Sequence, residues 1–464
     1  MERIGKHAVV IGASMGGLLA ARAASDFFQN VTVLERDAFP ERDIPRKGVP
    51  QGHHAHGLLA RGRRVIEEFF PGWTDEVVAC GGSRGDIAND VSWVGHGVTL
   101  KTEPSDLAGL LASRPVLEGQ VRRRLLSRPN VKAIENCSVL GLTADAGRSA
   151  INGVRYKIAG DSAEQTMTAD LVIDASGRGS ASPAWLEQLG YARAEEEKIE
   201  IGISYTSRTY RRKPGDLGGK LAVVVAGNEP NWRNGAIIFQ TEDRWIVSFG
   251  GYFGDIASTD VQMHAAYAST LPTPEFYEIV ANAEPLGDFA TIRHPANMRR
   301  RYERLERFPD NYLVFGDAIC NFNPVYGQGM TVAAQEAALL HECLSDGKDD
   351  LARRFFRAAA TTIDTPWDIA VGNDLRHPQV EGARPAKVRF VNWYVGKVHQ
   401  AARHDARVSD AFLQVANLQA PPERLLHPSV AMRVLWQNLL GPRSSDAKNV
   451  SLQDGRAAAQ SFKS

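Results

Sequence analysis

The chain has 464 residues, of which 43% are hydrophobic and 23% are charged, and its 54 Lys and Arg balance its 54 Asp and Glu. This length predicts two or three compact units, and the balanced charge argues against a nucleic-acid-binding protein. No apolar run is long enough to span a bilayer and no cleavable signal begins the chain, so we expect a cytoplasmic protein without a transmembrane segment. The four cysteines are widely spaced, which predicts reduced thiols and neither a disulfide framework nor a zinc site.

The N-terminal segment carries a dinucleotide-binding fingerprint. An apolar strand at residues 7–11 leads into Gly12, Ser14 and Gly17, followed by an Ala/Leu-rich helix and a second strand that ends at Glu35. Gly12 permits the tight turn, Ser14 is small enough to let the backbone approach a pyrophosphate, and Gly17 lets helix and strand pack closely. Glu35 can hydrogen-bond ribose hydroxyls. The cofactor-binding residues predicted in this unit are Gly12, Ser14, Met15, Gly16, Gly17, Glu35 and Arg36.

Two further motifs follow apolar strands. The first strand ends at Asp174 in an Asp-Ala-Ser-Gly turn, and the second ends at Gly316-Asp317 and leads into a helix that opens with Gly327-Gln-Gly329. A carboxylate at a strand end can accept hydrogen bonds from a ribityl or ribose hydroxyl, and the N-terminus of a helix favours an anionic group, such as N1 and O2 of reduced flavin. The predicted binding residues are Asp174, Gly316, Asp317, Pro324, Gly327, Gln328, Gly329 and Met330.

In this order the three motifs resemble those of the FAD-dependent monooxygenases of the para-hydroxybenzoate hydroxylase type, and the resemblance covers nearly the whole chain. The segments 36–40, 46–56 and 322–327 are most similar to the bacterial polyether epoxidases of the lasalocid and monensin type. The Asp-Ala-Ser-Gly turn departs from the Asp-Gly of most aromatic hydroxylases and is similar to that of flavin-dependent halogenases and geranylgeranyl reductases. The resemblance therefore implies bound FAD and leaves the electron donor open between NAD(P)H and a partner flavin reductase.

The resemblance also implies roles for two basic segments. Arg114, at the start of a predicted helix, corresponds to the arginine that reaches the cofactor near its diphosphate or ribityl chain, a task that suits a guanidinium fork. Arg46, Lys47 and Gln51 are expected on a loop near the flavin ring or its phosphates. The histidines at 53–56 lack acidic partners and a second cluster, so we predict no metal site there.

The expected fold class is α/β, with a Rossmann-like FAD-binding domain interleaved with an antiparallel β-sheet substrate domain and followed by a C-terminal helical extension. Alternate side chains of the sheet at 200–255 would line a substrate pocket, with its inward face left open. The Ser, Lys and Gln content of roughly the last 20 residues predicts disorder there. The predicted FAD domain comprises 1–185 and 286–349, except that 86–104 joins the substrate sheet. The substrate sheet is predicted at 186–285 and the helical region at 350–464. The candidate substrate contacts are Tyr205, Phe239 and Phe249.

Reduced flavin activates O2 as a C4a-hydroperoxide, so the protein needs few acids or bases of its own, and no catalytic side chain is assigned. The prediction is a monooxygenase of specialised metabolism that acts on an electron-rich hydrophobic small molecule, by alkene epoxidation or ring hydroxylation. The alternatives are an FAD-dependent reductase or dehydrogenase, a halogenase, which the lack of a Trp-x-Trp-x-Ile-Pro segment disfavours, and a non-catalytic flavin-binding protein. The oligomeric state stays open.

Overall fold

The computed structural model describes residues 3–241 and 243–440. Its strands are β1 (Gly5–Ile11), β2 (Phe28–Leu34), β3 (Gly57–Leu58), β4 (Ser83–Asp86), β5 (Val91–Gly95), β6 (Val98–Thr99), β7 (Ala108–Leu111), β8 (Val131–Ile134), β9 (Cys137–Ala144), β10 (Ile151–Ile158), β11 (Gln165–Thr168), β12 (Leu171–Asp174), β13 (Glu196–Arg211), β14 (Ala222–Val225), β15 (Asn234–Thr241), β16 (Arg244–Gly251), β17 (Ala290–Arg300), β18 (Tyr312–Val314) and β19 (Cys320–Asn321). Its α-helices are α1 (Met15–Ala24), α2 (Ala60–Phe69), α3 (Trp73–Ala79), α4 (Arg114–Leu126), α5 (Ser182–Gln188), α6 (Val261–Ala268), α7 (Glu275–Asn282), α8 (Gly329–Ser345), α9 (Leu351–Asp374), α10 (Ala386–Ala402), α11 (Ala406–Ala416) and α12 (Pro428–Leu440).

A five-stranded parallel sheet in the order β18-β12-β1-β2-β8 forms the centre of the predicted cofactor unit. β12 and β18 are buried throughout, and β1 and β2 are buried over their C-terminal four residues, as expected for the centre of a parallel sheet that is covered on both faces. The register places Ile11 beside Asp174, and Asp174 beside Val314. The carboxyl ends of three strands that are distant in sequence therefore meet at one edge of the sheet.

An eight-stranded sheet in the order β19-β17-β13-β16-β15-β14-β5-β6 lies beside this unit. Neighbouring strands are antiparallel except β14 and β5, and β9–β11 and β3-β7-β4 form two further three-stranded sheets. The predicted α/β fold class is confirmed. The strand β17 pairs with β13 over most of its length. The second predicted FAD-domain segment, 286–349, therefore begins with a strand that belongs to the larger sheet.

The C-terminal helices α9–α12 complete the described chain. Val398, Val408 and Val434 are buried in the same apolar core as Val94 and Val223 of the eight-stranded sheet. The disorder predicted for the last roughly 20 residues concerns a segment outside the described residues. Within 3–241 and 243–440, none of the helices combines the length and apolar character that crossing a membrane requires.

Helix α10 packs on the β5–β6 hairpin through two histidines. His96 and Gly97 form the two-residue turn between β5 and β6, with φ angles of +49° and +76°. The ring centroids of His96 and His399 are 4.5 Å apart. Burial lowers the pKa of His96 to about 3 and that of His399 to about 4, and the Arg376 guanidinium adds to both shifts. The folded protein thus favours neutral rings.

We expect the free energy of unfolding to fall as the pH decreases from 6.5 towards 4, because the unfolded chain binds protons that the buried rings exclude. His96 contributes up to about 2 kcal/mol of this loss at pH 5. His96→Asn removes the titrating ring and supplies a residue that tolerates positive φ before glycine. Urea unfolding at pH 7.5 and pH 5 should show a smaller pH-dependent loss for the variant than for the wild type. Equal losses in both proteins would contradict this assignment.

Candidate functional site

The three predicted motifs adjoin at the edge of the parallel sheet. Gly12 has a φ of +97°, and a Cβ at this position would lie 2.7 Å from the carbonyl oxygen of Ala175. A Cβ at Gly17 would lie 1.9 Å from the Gly12 carbonyl oxygen, and one at Gly177 would lie 4.0 Å from Cβ of Asp317. The first two glycines are therefore required by close backbone approach, and the site is built from the fingerprint turn, the Asp-Ala-Ser-Gly turn and the Gly316-Asp317 turn.

A buried ionic cluster lies on the fingerprint turn. The Arg46 guanidinium donates through Nη2 to the Ala13 carbonyl (2.8 Å) and to Glu118 Oε1 (3.0 Å), and its Nη1 is 3.1 Å from Glu35 Oε1. Glu35 Oε2 accepts a hydrogen bond from the Ala13 N–H (2.7 Å). Burial opposes the charge of Arg46, but the carboxylates of Glu118, Glu35 and Asp37 outweigh burial and raise its pKa. The loop that carries Arg46 is thereby fixed to the predicted ribose-binding acid.

Arg114 joins the same cluster from α4. Its Nη2 donates to Ser14 Oγ (2.9 Å) and to Glu118 Oε2 (3.1 Å). Glu118 thus bridges two guanidinium groups, and both Arg114 and Glu118 are buried. The sequence predictions missed Glu118, although its i, i+4 spacing from Arg114 is a recognisable signal for a helical ion pair.

The other predicted residues of the fingerprint and the basic loop lie around this cluster. Met15 is buried in the core, and a Cβ at Gly16 would make ordinary contact with the Phe315 ring, so both contribute packing. Arg36 and Lys47 are exposed at the periphery, whereas Gln51 lies in a short 3-10 turn that packs against α4. The structure therefore brings Ser14, Glu35, Arg46 and Arg114 into one network and leaves Arg36 and Lys47 outside it.

Asp174 stabilises its own turn. Its carboxylate is fully buried and accepts hydrogen bonds from the Ser176 N–H (2.9 Å), from Ser180 Oγ (2.6 Å) and from Ser182 Oγ. The Ser182 hydroxyl also hydrogen-bonds to the Tyr312 hydroxyl of the neighbouring strand. Both carboxylate oxygens already accept hydrogen bonds within the protein. A cofactor would therefore contact the turn that Asp174 stabilises, and not the Asp174 carboxylate.

Asp317 has a different environment. Its side chain is exposed to solvent. Protein segments nevertheless surround it, and this burial raises the pKa of its carboxyl, whereas the charges of Arg114 and Arg178 oppose the shift. Glu336, on α8, accepts the Gly316 N–H at 2.7 Å, and burial raises its pKa to about 8, which favours its neutral form. The described residues give the Asp317 carboxylate no hydrogen bond, so it is free to accept one from a ligand.

The start of α8 is open in the way a ligand site requires. Cβ atoms placed at Gly316, Gly327 or Gly329 would meet no atom within 4 Å. Gln328 Oε1 and Thr331 Oγ1 are buried without a hydrogen-bond partner, and Gln328 gives α8 no side-chain cap. The first N–H groups of a helix have no intrahelical acceptor, so this helix end presents donors to an open space. Pro324 is exposed on the preceding loop, and Met330 is buried behind it.

His294 of β17 contacts Arg178, which follows the Asp-Ala-Ser-Gly turn. Arg178 Nη1 lies 3.3 Å from His294 Nδ1, and because a guanidinium only donates, Nδ1 is the acceptor and Nε2 carries the proton. The His294 Nε2 atom is buried without a partner. Burial and the nearby Arg178 charge lower the pKa of His294 to about 4, so the ring is neutral and has a buried N–H donor that no described residue uses.

A polar network holds the loop at 322–327 in place. Asp374, the last residue of α9, is 1% exposed, and its Oδ1 accepts hydrogen bonds from Tyr252 Oη (3.0 Å), Asn323 Nδ2 (2.9 Å) and Tyr326 Oη (2.9 Å). Its Oδ2 accepts from Asn297 Nδ2 at 2.8 Å. Burial raises the pKa of Asp374, and the four donors oppose that shift. The sequence predictions missed this carboxylate, because nothing in the spacing of α9 links it to the loop.

The two faces of the eight-stranded sheet have different neighbours. Tyr205 donates to Asn323 Oδ1 of the loop before α8 and shares its face with Ser207, which contacts His54 Nδ1 at 2.8 Å. This face is directed towards the cofactor unit. Phe249 lies on the opposite face, with its ring centroid 5.8 Å from that of Phe276 in α7.

Phe239 pairs with Trp245 and shares the face of Phe249. Both phenylalanines are buried in the core of that face. The prediction that Phe239 and Phe249 contact substrate does not fit this geometry. Successive residues of a strand point to opposite faces of the sheet, and both phenylalanines lie on the face opposite to Tyr205.

His54, which contacts Ser207 of β13, forms part of the wall between the two units, whereas His53 is exposed. The His56 Nδ1 atom lies 3.0 Å from the His54 carbonyl oxygen, and burial together with the Arg114 charge lowers the His56 pKa to about 3. Within 3–241 and 243–440, no group of three His, Cys, Asp or Glu side chains is arranged to hold a metal ion.

Comparison with known proteins identifies relatives over most of the chain. The protein Rv3254 of Mycobacterium tuberculosis is 36% identical over 436 residues, which is 88% of each chain. Kynurenine 3-monooxygenase of Salinispora arenicola is 25% identical over 411 residues, 81% of each chain. No protein-family model matches.

Solved structures share the architecture. PqsL of Pseudomonas aeruginosa, in complex with 2-aminobenzoylacetate, has a TM-score of 0.61 at 18% identity over 80% of this chain and 97% of its own. CmlS, a flavin-dependent halogenase, has a TM-score of 0.62 at 17% identity over 89% of this chain and 76% of its own. The fold is that of the FAD-dependent monooxygenases. At these identities the structures establish the fold alone, and the resemblance to polyether epoxidases stays a prediction.

Asp374→Asn should destabilise the protein by roughly 2 kcal/mol or more, because the introduced NH2 group faces hydroxyl and amide donors that need an acceptor. Tyr326→Phe, the matched control, removes one donor and keeps the ring, and should cost about 1 kcal/mol. Urea unfolding at pH 7.5 measures both. Equal effects of the two variants would show that the carboxylate does not organise the loop.

Proposed function

This chain belongs to the same family as the protein Rv3254 of Mycobacterium tuberculosis, and we propose that it is a flavin-dependent monooxygenase. One observation carries this proposal: three turns converge at one sheet edge around an open space that holds an unpaired Asp317 carboxylate and the uncapped N-terminus of α8. A flavin dinucleotide has the groups that such a set would bind. The sequence similarity to kynurenine 3-monooxygenase supports this reaction class.

The residues present fit FAD part by part. Glu35 Oε2, which accepts one hydrogen bond within the protein, would accept a second from a ribose hydroxyl, and the Ser14–Arg114 pair would face the diphosphate across the fingerprint turn. Asp317 would accept a hydrogen bond from the ribityl chain. The N–H groups at the start of α8 would lie where negative charge develops on the reduced ring. Bound reduced flavin supplies the electrons that activate O2, whereas the electron donor that reduces it stays open between NAD(P)H and a reductase.

The substrate proposed here is apolar. On the sheet face directed towards the cofactor unit, cross-strand register aligns Trp93, Val224, Ala236 and Ile238, which are all only partly buried. Phe412 of α11 reaches the same wall, with its ring centroid 6.5 Å from that of Trp93. Partly buried apolar side chains on a shared face suit an apolar ligand.

The protein groups on this face are poor bases. Burial raises the pKa of Tyr205 well above its usual value, and burial lowers the pKa of His54 to about 4. Deprotonation of a phenol by these groups is therefore unfavourable, whereas an alkene needs no base. We accordingly propose alkene epoxidation ahead of ring hydroxylation, with exclusion of water and positioning of the substrate as the protein's main contribution.

The first test concerns FAD. We expect the purified protein to be yellow with one non-covalent FAD per chain, and Gly329→Ala to lower FAD affinity by tenfold or more, because the methyl group projects into the space proposed for the cofactor. The same change should not destabilise the free protein, since alanine favours the helix more than glycine does. Gly372→Ala, within α9 and also without neighbours, is the matched control. Unchanged FAD affinity in Gly329→Ala would place the cofactor elsewhere.

The second test concerns the reaction. Turnover with labelled dioxygen in ordinary water, with NAD(P)H or a flavin reductase and free-flavin controls, should give a product that carries one labelled oxygen atom. Candidate polyenes and phenols compared in parallel separate epoxidation from hydroxylation. An unlabelled product changed by two electrons would instead indicate a reductase or dehydrogenase, and a halide-dependent product would indicate a halogenase.

A further inference from the structure

The helices α10 and α12 expose an unusual share of apolar surface. Fifteen large hydrophobic side chains are exposed in the described residues, and seven of them lie on these two helices. Exposed apolar patches of this kind mark interaction sites. We call this set the C-terminal apolar surface; it consists of Phe390, Val391, Trp393, Met432, Leu435, Trp436 and Leu439.

On α12 the exposed residues form one stripe. Met432, Leu435, Trp436 and Leu439 follow the spacing i, i+3, i+4 and i+7, which places them on a single face of the helix. Their exposed fractions range from 57% to 72%. The opposite face is already used, because Val434 is buried against the core. The stripe is therefore a second apolar face, and none of the described residues covers it.

Helix α10, which packs beside α12, carries exposed apolar residues of its own. Its Phe390 and Trp393 rings are 5.8 Å apart and both are exposed. Asn438 Nδ2 donates to the Lys397 carbonyl (3.0 Å), and Arg433 bonds to Asp405 beyond the end of α10 (2.9 Å). These two contacts fix the helices as antiparallel neighbours, so the end of α12 that carries Leu439 runs towards the half of α10 that carries the aromatic rings.

The charge of the two helices is one-sided. Neither helix contains Asp or Glu, whereas the whole chain has equal numbers of basic and acidic residues. Lys387, Arg389 and Lys397 are exposed beside the aromatic residues of α10. The ion pair of Lys387 with Asp368 is itself exposed, and Lys397 has no carboxylate partner among the described residues. Two copies meeting through this surface would bring like charges together, whereas an anionic surface would complement them.

We propose that the C-terminal apolar surface binds an anionic phospholipid bilayer, with α10 and α12 lying in the interfacial plane. Exposed tryptophans, an apolar helix stripe and flanking lysines are the features that place a helix at the boundary between lipid headgroups and acyl chains. Lysines near an anionic leaflet add attraction that salt screens. The proposal is independent of the reaction proposed above, since it rests on a different part of the chain.

The test uses the full-length protein, as purified with its cofactor, and vesicles of phosphatidylcholine alone or mixed with phosphatidylglycerol. We expect co-sedimentation that increases with the phosphatidylglycerol fraction and decreases as salt is raised, together with a blue shift of tryptophan emission. Equal partitioning onto neutral and anionic vesicles, or none onto either, would overturn the proposal.

Two variants separate the apolar and charged contributions. Trp436→Ser with Leu439→Ser, and separately Lys387→Glu with Lys397→Glu, should each lower the partition coefficient at least about tenfold. Met263→Ser, an equally exposed apolar residue on α6, is the matched control and should leave partitioning unchanged. FAD content and the unfolding midpoint show whether each variant is folded, so a loss of binding is separable from a loss of structure.

Light scattering supplies the competing outcome. The proposal predicts that Trp436→Ser with Leu439→Ser leaves the molar mass of the protein in solution unchanged. A concentration-dependent dimer that this variant abolishes would assign the surface to a second copy of the chain and overturn the lipid assignment.

Discussion

The parallel pairing of β1, β12 and β18 is the constraint on which the rest of the site depends. Ladder hydrogen bonds align Ile11, Asp174 and Val314, so the turns after these strands emerge side by side even though long stretches of chain separate them. Gly12 can then approach the Ala175 carbonyl. A shift of one residue in either pairing would reverse the side chains of a whole strand and separate the turns.

Buried charge imposes a second constraint. Arg46 and Arg114 lie in a region with little access to water, where an unpaired guanidinium is costly. Glu118 gives both groups a protein partner, so their positions do not depend on a ligand. The cluster ties three elements together, namely the loop after β2, the fingerprint turn and α4. An anionic diphosphate would meet guanidinium groups already in place, which reduces the ordering cost of binding.

The sequence predicted the parts of this site that follow from local pattern. Glycines at fingerprint spacing and acids at strand ends report backbone geometry, and they identified the three turns. Contacts between distant segments leave no such pattern. The hydrogen bonds from Tyr326 and Asn323 to Asp374 depend on how α9 packs. Which face of a strand points inward depends on register, so the residue type of Phe249 could not reveal that it faces α7. The i, i+4 spacing of Arg114 and Glu118 is a local pattern that does indicate an ion pair.

The C-terminal helices link the proposed pocket with the outer surface. Asp374 at the end of α9 holds the loop before α8, and Phe412 of α11 reaches the Trp93 wall of the sheet. His399 of α10 packs on the β5–β6 turn, while the exposed side of α10 carries Phe390 and its neighbouring cations. The same group of helices therefore contacts the loop at 322–327 and the apolar wall, and carries the C-terminal apolar surface. An apolar substrate dissolves better in a bilayer than in water, so a protein bound through α10 and α12 would meet it where it is most concentrated, with the pocket wall formed in part by the adjoining helix.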